Sequence, residues 1–159
     1  MSETIREVSK RAVCNGGVVV GDDGSAGAAV AVRFAREEAE RRRSTLHVVR
    51  AWSILSTARP VDVPQGIMAS LPEYEAQAIT DEQKRVGDLL GDDPGVDVEV
   101  HAVHAHAAKA LIDASETADV VVVGSRGMGG FRTLVLGSVA EQVIRHAAGP
   151  VIVVREQAS

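Results

Sequence analysis

The apolar residues of this chain fall into short, β-branched runs separated by longer stretches of helical periodicity. Val18-Val19-Val20, ending at Gly21, reads as a first buried strand. Ala26 to about Arg43 follows as a helix, with Val30, Ala31, Phe34 and Ala35 on one side and Arg36, Glu37, Glu40 and Arg41 on the other. Leu46–Ala51 is a second strand. Ser53 to Pro72 carries Pro60, Pro64, Gly66 and Pro72 as breakers and reads as a long loop, beyond ordinary connection length. Glu73–Leu90 is helical, with Ile79, Val86, Leu89 and Leu90 as its apolar side, and Gly91-Asp92-Asp93-Pro94-Gly95 stops it. Val96, Val98 and Val100 alternate with Asp97, Glu99 and His101, the period of a half-exposed strand near a sheet edge. Ala107 to about Thr117 is a third helix and Val120–Val123 a fourth strand. Ser138 to Ala147 is a last helix, with Val139, Val143, Ile144 and Ala147 expected inward. Val151–Val154 is a fifth strand after the stop at Gly149-Pro150.

Strands that alternate with helices define an α/β domain whose parallel sheet is covered on both faces. Residues 1–12 are polar and are expected to be a flexible lead-in, leaving 13–156 as the domain. The length of 159 residues suits one such domain with a real core. A formal charge of −5 argues against nucleic acid as the main partner. Cys14 is the only cysteine, so no disulfide can close within the chain. No apolar signal core or membrane-length run is present, and a cytoplasmic protein with no membrane association is expected.

Candidate chemistry concentrates after two strands. Asp22-Asp23-Gly24-Ser25 follows the first, offering a turn and a helix cap, and either Asp23 or Ser25 can supply that cap. After the fourth, Gly124-x2-Gly127-x9-Gly137-Ser138 forms a long glycine-bearing loop that runs into a helix N-terminus. Glycines admit close backbone approach, and the helix start adds unsatisfied donors, so the segment suits a phosphate. Were the first and fourth strands neighbours at a reversal of strand order, both segments would border one crevice. Ser138-Val139-Ala140-Glu141 also reads as a capping box, in which Ser138 only satisfies its own helix. Arg126 and Arg132 flank the loop as possible phosphate contacts.

His101, His104 and His106 invite a metal reading, but no carboxylate or thiolate stands at ligand spacing, so no metal site is expected. His47 reads as a hydrogen-bonded core histidine, His146 as compensation for a helix C-terminus, and Trp52 as cover for the core edge. The chain lacks G-x-x-x-x-G-K-[ST], a G-x-G-x-x-G after the first strand and a Gly-x-Ser-x-Gly elbow. No general base is paired with a positioned nucleophile, so no catalytic residue is assigned.

The glycine spacing, the GSRGMGG and LGSVAEQVIRHAAGPVIVV stretches, the N-terminal VVVGDDGS and LHVV at Leu46–Val49 together resemble the universal stress protein family, in its ATP-binding subgroup, over about residues 14–155. That resemblance implies a doubly wound, open, five-stranded parallel sheet of order 3-2-1-4-5 with helices on both faces. It also implies an adenine nucleotide, ATP with phosphate-bound Mg²⁺, and a homodimer, for which the Val151–Val154 edge is the expected seam. Carried over by residue, Asp23 resembles the aspartate that binds the nucleoside, and Val48 the residue whose backbone reads adenine. Gly124, Gly127, Gly137 and Ser138 resemble the loop for ribose and phosphates, with Val123 and Val139 as backbone neighbours. Where the family often has Gly-x-Pro after the third strand, this chain has Ala105-His106-Ala107. The expectation is a stress-response nucleotide-binding module that acts by binding; the alternatives are a nucleotide-free dimeric scaffold of the same family and a slow ATPase or nucleotidyl-transfer enzyme.

Overall fold

The computed structural model describes residues 7–128 and 136–156. Five strands alternate with four helices: β1 Val18–Gly21, α1 Ala26–Arg42, β2 Leu46–Ala51, α2 Leu71–Leu90, β3 Val98–Val103, α3 Ala107–Ser115, β4 Val120–Gly124, α4 Ser138–His146 and β5 Val151–Val154. All strand pairs are parallel, in the order β3-β2-β1-β4-β5. The chain first winds outward from β1 through β2 to β3, then crosses back to β4 and continues to β5. Right-handed crossovers in opposite directions put their helices on opposite faces of the sheet.

The alternation of side chains along each strand divides the core accordingly. Val18, Val20, Leu46, Val48, Val120 and Val122 pack with Ala31, Val32, Ala35 and Ala39 of α1 and Val86 of α2. Val19, Val49, Val103, Val121 and Val123 pack with Ala110, Leu111 and Ala114 of α3 and Ala140 and Val143 of α4. Small alanines on α1 and α3 let these helices lie close on valine-rich strands.

Several local expectations change. The second helix starts at Leu71 rather than Glu73, because Ser70 and Glu73 form a reciprocal capping box and Pro72 falls in the first turn, where its missing N–H costs nothing. Its buried side includes Glu75, Ala78 and Glu82 as well as Val86. The 53–70 connection is organised by Arg59, whose guanidinium donates to the carbonyls of Val63, Pro64 and Ile67 at 2.7–2.8 Å. On α4, Val139 and Ile144 are exposed, and Ala140 joins Val143 inside. Within the expected lead-in, Val8 packs with Trp52, Ala78 and Ala102. Ser9 accepts from the His104 amide at 2.8 Å and donates its own amide to Glu75 at 2.7 Å. Residues 8–14 therefore lie across the open side of β3.

Gly17 marks the entry to β1. Its φ is +85°, and a Cβ there would stand 2.6 Å from the Thr45 carbonyl oxygen. Backbone conformation and space both exclude a side chain. Gly17→Ala is expected to destabilise the fold by about 2–3 kcal/mol, read as a lowered urea midpoint at unchanged m-value.

Candidate functional site

The reversal of strand order falls between β1 and β4, and the loops leaving their C-terminal ends enclose a cavity of about 450 Å³. One wall is the Gly21–Ser25 turn. Ser25 caps α1 by accepting from the Ala28 amide at 3.1 Å, which leaves Asp23 for other work. Asp23 Oδ1 accepts from the Ser25 amide at 2.9 Å, and Oδ2 reaches across the cavity mouth to the Met128 amide at 3.2 Å. A carboxylate from the β1 loop thus ties down the loop that leaves β4.

The other wall is built from Val123, Gly124, Arg126, Gly127 and Met128, and from Gly137, Ser138, Val139 and Ala140 at the start of α4. The ends of the intervening loop are joined by the Gly137 amide, which donates to the Ser125 carbonyl at 2.6 Å. Close approach explains the glycines. A Cβ on Gly127 would meet Asp23 Oδ2 at 2.7 Å, and one on Gly124 would meet the Gly27 carbonyl oxygen at 3.3 Å. A Cβ on Gly137 would meet the Arg126 Cα at 3.3 Å. Gly27 plays the reciprocal part on α1, where a Cβ would sit 3.1 Å from the Arg126 carbonyl oxygen. A glycine in the first turn of an otherwise alanine-rich helix is the sequence signal for that packing.

The capping-box reading of Ser138 is corrected. Gly137 is the N-cap and makes no side-chain cap hydrogen bond, and Ser138 is the first residue of the helix. Glu141 is one position too far along to reach back, and it pairs with Arg145 at 2.7 Å. The first turn of α4, Ser138–Ala140, lines the cavity, and its glycine N-cap supplies no side-chain acceptor.

Of the residues singled out in the sequence, Asp23, Val123, Gly124, Arg126, Gly127, Gly137, Ser138 and Val139 line this one cavity. Val48 does not. Even-numbered β2 positions face α1 and α2, and Val48 is fully buried there. Its neighbours Val49 and Ala51 form the β2 side of the cavity floor, with Leu111 and Ala107 from α3. Ala107 ends the Ala105-His106-Ala107 stretch that departs from Gly-x-Pro, so α3 begins at the cavity edge. Arg132 lies outside the described residues.

Beneath the β1 turn sits an ionic cluster the sequence did not announce. The Asp22 side chain is completely buried and receives Arg85 Nε at 2.7 Å and the Gly24 amide at 3.0 Å. Arg85 also donates to the Ser25 carbonyl at 2.9 Å, so one guanidinium holds both ends of the turn. Glu82, one helical turn before Arg85's end of α2, is buried and hydrogen-bonded to Asp22, with its Oε1 lacking a partner among the described residues. Burial first, then the hydrogen bond and charge of Asp22, push the Glu82 carboxyl up to about 9. Burial also opposes ionisation of Asp22, but its bonds from Glu82, Arg85 and Gly24 outweigh that and hold it below the usual carboxylate range. The pair therefore keeps one proton at neutral pH, on Glu82. Neither Glu82 nor Arg85 belongs to the apolar side that helical spacing picks out, so the sequence alone does not single them out.

A parallel sheet of this order, with ligand-sized space at its reversal point, defines the doubly wound α/β class. Residues 16–155 match the model of the universal stress protein family, and the chain belongs to that family. It is 35% identical over 139 residues to a universal stress protein of Mycolicibacterium smegmatis, covering 87% of this chain and 47% of that one. It is 37% identical over 139 residues to one of Mycobacterium tuberculosis, covering 87% and 45%. The chain thus spans about half the length of these relatives. Among solved structures, universal stress protein UspA of Lactobacillus plantarum shares the fold with a TM-score of 0.66 at 17% identity, over 91% of this chain and all of that one. The Archaeoglobus fulgidus universal stress protein in complex with dAMP is similar with a TM-score of 0.51 at 26% identity, over 87% and 96%. A universal stress protein in complex with cAMP has a TM-score of 0.60 at 22% identity, over 95% and 100%.

The carboxyl pair makes stability depend on pH in a defined direction. Glu82 has a raised pKa in the fold, so its contribution is complete below about 4.5 and is lost as pH rises toward about 9. Asp22 acts oppositely: its contribution is present at neutral pH and is lost on acidification through its lowered pKa. Glu82→Gln keeps a donor to Asp22 but cannot titrate. Between pH 5 and 9 the wild type is expected to lose at least about 1.4 kcal/mol more stability than Glu82→Gln, the equivalent of one pKa unit, in parallel urea titrations. Equal slopes for the two proteins would contradict the protonated assignment.

Proposed function

We propose that this chain is an adenine-nucleotide-binding module, with ATP as its ligand, serving a regulatory role in a cytoplasmic stress response and acting by binding rather than turnover. The observation that carries the reading is the meeting of Asp23 with the main chain of Gly124, Gly127 and Gly137–Val139 around a single cavity at the strand-order reversal. The volume falls within the range of small-molecule sites, about 300–1,000 Å³. Its floor of Val49, Ala51 and Leu111 offers a base an apolar surface, and the start of α4, whose N-cap is a glycine, offers phosphates main-chain donors. The dAMP and cAMP complexes of related proteins support the ligand class.

In this reading Asp23 exchanges its Met128 amide for the nucleoside. The backbone of Val123, Gly124, Gly127, Gly137, Ser138 and Val139 surrounds ribose and phosphates, while Arg126 meets phosphate charge. Val48 contributes main chain only, from behind Val49. Mg²⁺ arrives bridged by phosphates rather than held in a protein cage. Bound ATP stabilises the native state by mass action, by about 2.7 kcal/mol at a hundred times Kd.

Mass spectrometry of denatured, purified protein is expected to release an adenine nucleotide, and millimolar ATP is expected to raise the Tm of stripped protein. Asp23→Ala removes a charge-assisted hydrogen bond worth about 1.5–3 kcal/mol, so ATP affinity should fall at least about tenfold. Gly127→Val, which displaces the Asp23 carboxylate, should weaken ATP similarly while the protein remains folded. Nucleotide-free protein whose Tm ignores ATP would instead favour an empty interaction scaffold. Turnover that collapses in Asp23→Ala would favour an enzyme.

The same family reading includes a homodimer through Val151–Val154. β5 is an edge strand, and all four of its residues remain half-buried rather than covered. A second copy paired across a two-fold axis would satisfy that edge. Sedimentation at micromolar concentration should give twice the 16.7 kDa chain mass; a monomer would refute this seam.

A further inference from the structure

On the α3 face of the sheet, but away from the nucleotide cavity, three metal-ligating side chains converge, and a carboxylate stands beside two of them. Cys14 comes from the segment that precedes β1, His47 from β2, and Glu99 and His101 from β3. The Cys14 sulfur and one ring nitrogen from each histidine lie within 4.8 Å of one another. His47 Nδ1 and His101 Nε2 are 2.9 Å apart. Glu99 Oε2 stands 3.2 Å from the former and 3.6 Å from the latter. His47 and Glu99 are direct partners in the β2–β3 register, and His101 follows two residues later on the same face. None of the four lines the nucleotide cavity.

We propose that Cys14, His47, His101 and Glu99 form a binding site for one borderline divalent metal ion of the Zn²⁺ class. A thiolate, two imidazoles and a carboxylate make a four-ligand set that suits zinc in both donor type and number. The two anionic ligands neutralise the ion's charge, which a buried position requires. Bonds of about 2.0–2.1 Å to nitrogen and 2.3 Å to sulfur need the histidine nitrogens to open by about half an ångström and the sulfur to move inward by about one. Side-chain rotation can supply both, and Glu99, on the exposed edge strand, can close the fourth position from outside.

The outer contacts also fit. His47 is hydrogen-bonded to the Gly16 main chain, and its Nε2 edge lies against Gly17, where an added Cβ would stand 3.0 Å from it. A carbonyl partner on Nε2–H directs the Nδ1 lone pair toward His101 and the proposed ion, as outer partners of metal-bound histidines do. Burial raises the free Cys14 thiol to about 11, with Glu99 adding to the effect, so without an ion Cys14 is an inert S–H. As the sulfur–metal bond forms, that proton leaves to solvent. The His47–His101 hydrogen bond breaks, and His101 carries its proton on Nδ1.

The spacing of His101, His104 and His106 pointed away from metal because the thiolate and second histidine come from other elements, and because that reading passed over Glu99, two residues before His101 on the same face. His104 in fact stacks on Trp52, with ring centroids 4.6 Å apart, and His106 is the N-cap residue of α3.

Full-length protein, stripped with chelator under a non-thiol reductant, provides the test, with Zn²⁺ and Co²⁺ as probes. One equivalent of zinc should survive gel filtration and raise the Tm. Cobalt should give a thiolate charge-transfer band together with the intense visible bands of a four-coordinate ion. Cys14→Ser should abolish the charge-transfer band, and Cys14→Ser and His101→Ala should each weaken zinc by at least about 100-fold. Glu99→Gln should cost about 10-fold. Circular dichroism of the zinc-free variants checks that each remains folded, and partly exposed His101 and Glu99 keep the test valid if Cys14→Ser does not. Substoichiometric zinc, or a cobalt spectrum unchanged in the folded variants, would overturn the site and indicate adventitious binding at surface histidines such as His104, His106 or His146.

Discussion

Two parallel strands, β1 and β4, lie side by side while the connections that follow them depart toward opposite faces of the sheet. The right-handedness of crossovers turns that reversal into a cleft, because no helix can cover the carboxyl ends of both strands. The remaining features of the candidate site answer this constraint. Gly127 lets the β4 loop fold closely against Asp23 of the β1 turn, Gly124 against the first turn of α1, and Gly137 lets the end of the loop meet its start, while Asp23 spans the gap between the two loops. Valine-rich strands and alanine-rich helices hold the walls by dense packing from both faces.

The β1 turn is held from below by charge as well as by its own hydrogen bonds. Asp22 and Asp23 are adjacent in sequence, yet their surroundings divide their work. Asp22 points into the protein against Arg85 and a protonated Glu82, while Asp23 points along the cleft. A buried ion pair is costly when incomplete, so Asp22, Arg85 and Glu82 act as one unit. Because Arg85 also holds the Ser25 carbonyl, α2 reaches under the candidate site without touching the cavity itself.

The Cys14, His47, Glu99 and His101 cluster sits where the segment before β1 meets β2 and β3. Residues 8–14 lie across the side of β3 that would otherwise be an open edge, through the Ser9–His104 and Ser9–Glu75 bonds and the burial of Val8. An ion in that cluster would fasten the same segment to the sheet, while a nucleotide would bridge the β1 and β4 loops. The two sites would thus act on different parts of one sheet.

Periodicity alone located the five strands and four helices to within a few residues, because valine runs and amphipathic spacing report burial directly. Glycine spacing and Asp23 located the candidate site, since close backbone approach excludes other residues locally. The start of α2 was misplaced because Pro72 reads as a breaker until Ser70 is seen to cap the turn that contains it. Val48 is a core residue on the α1 face, so only its main chain is available to a ligand. Glu82, Arg85 and the Cys14–His47–His101 grouping became legible only in three dimensions. Arg85 and Asp22 are 63 residues apart, and His47 and His101 are 54. Local pattern determined which segments are strand, helix and loop; long-range packing decided which polar side chains are buried together, because burial of a charge depends on the partner that compensates it.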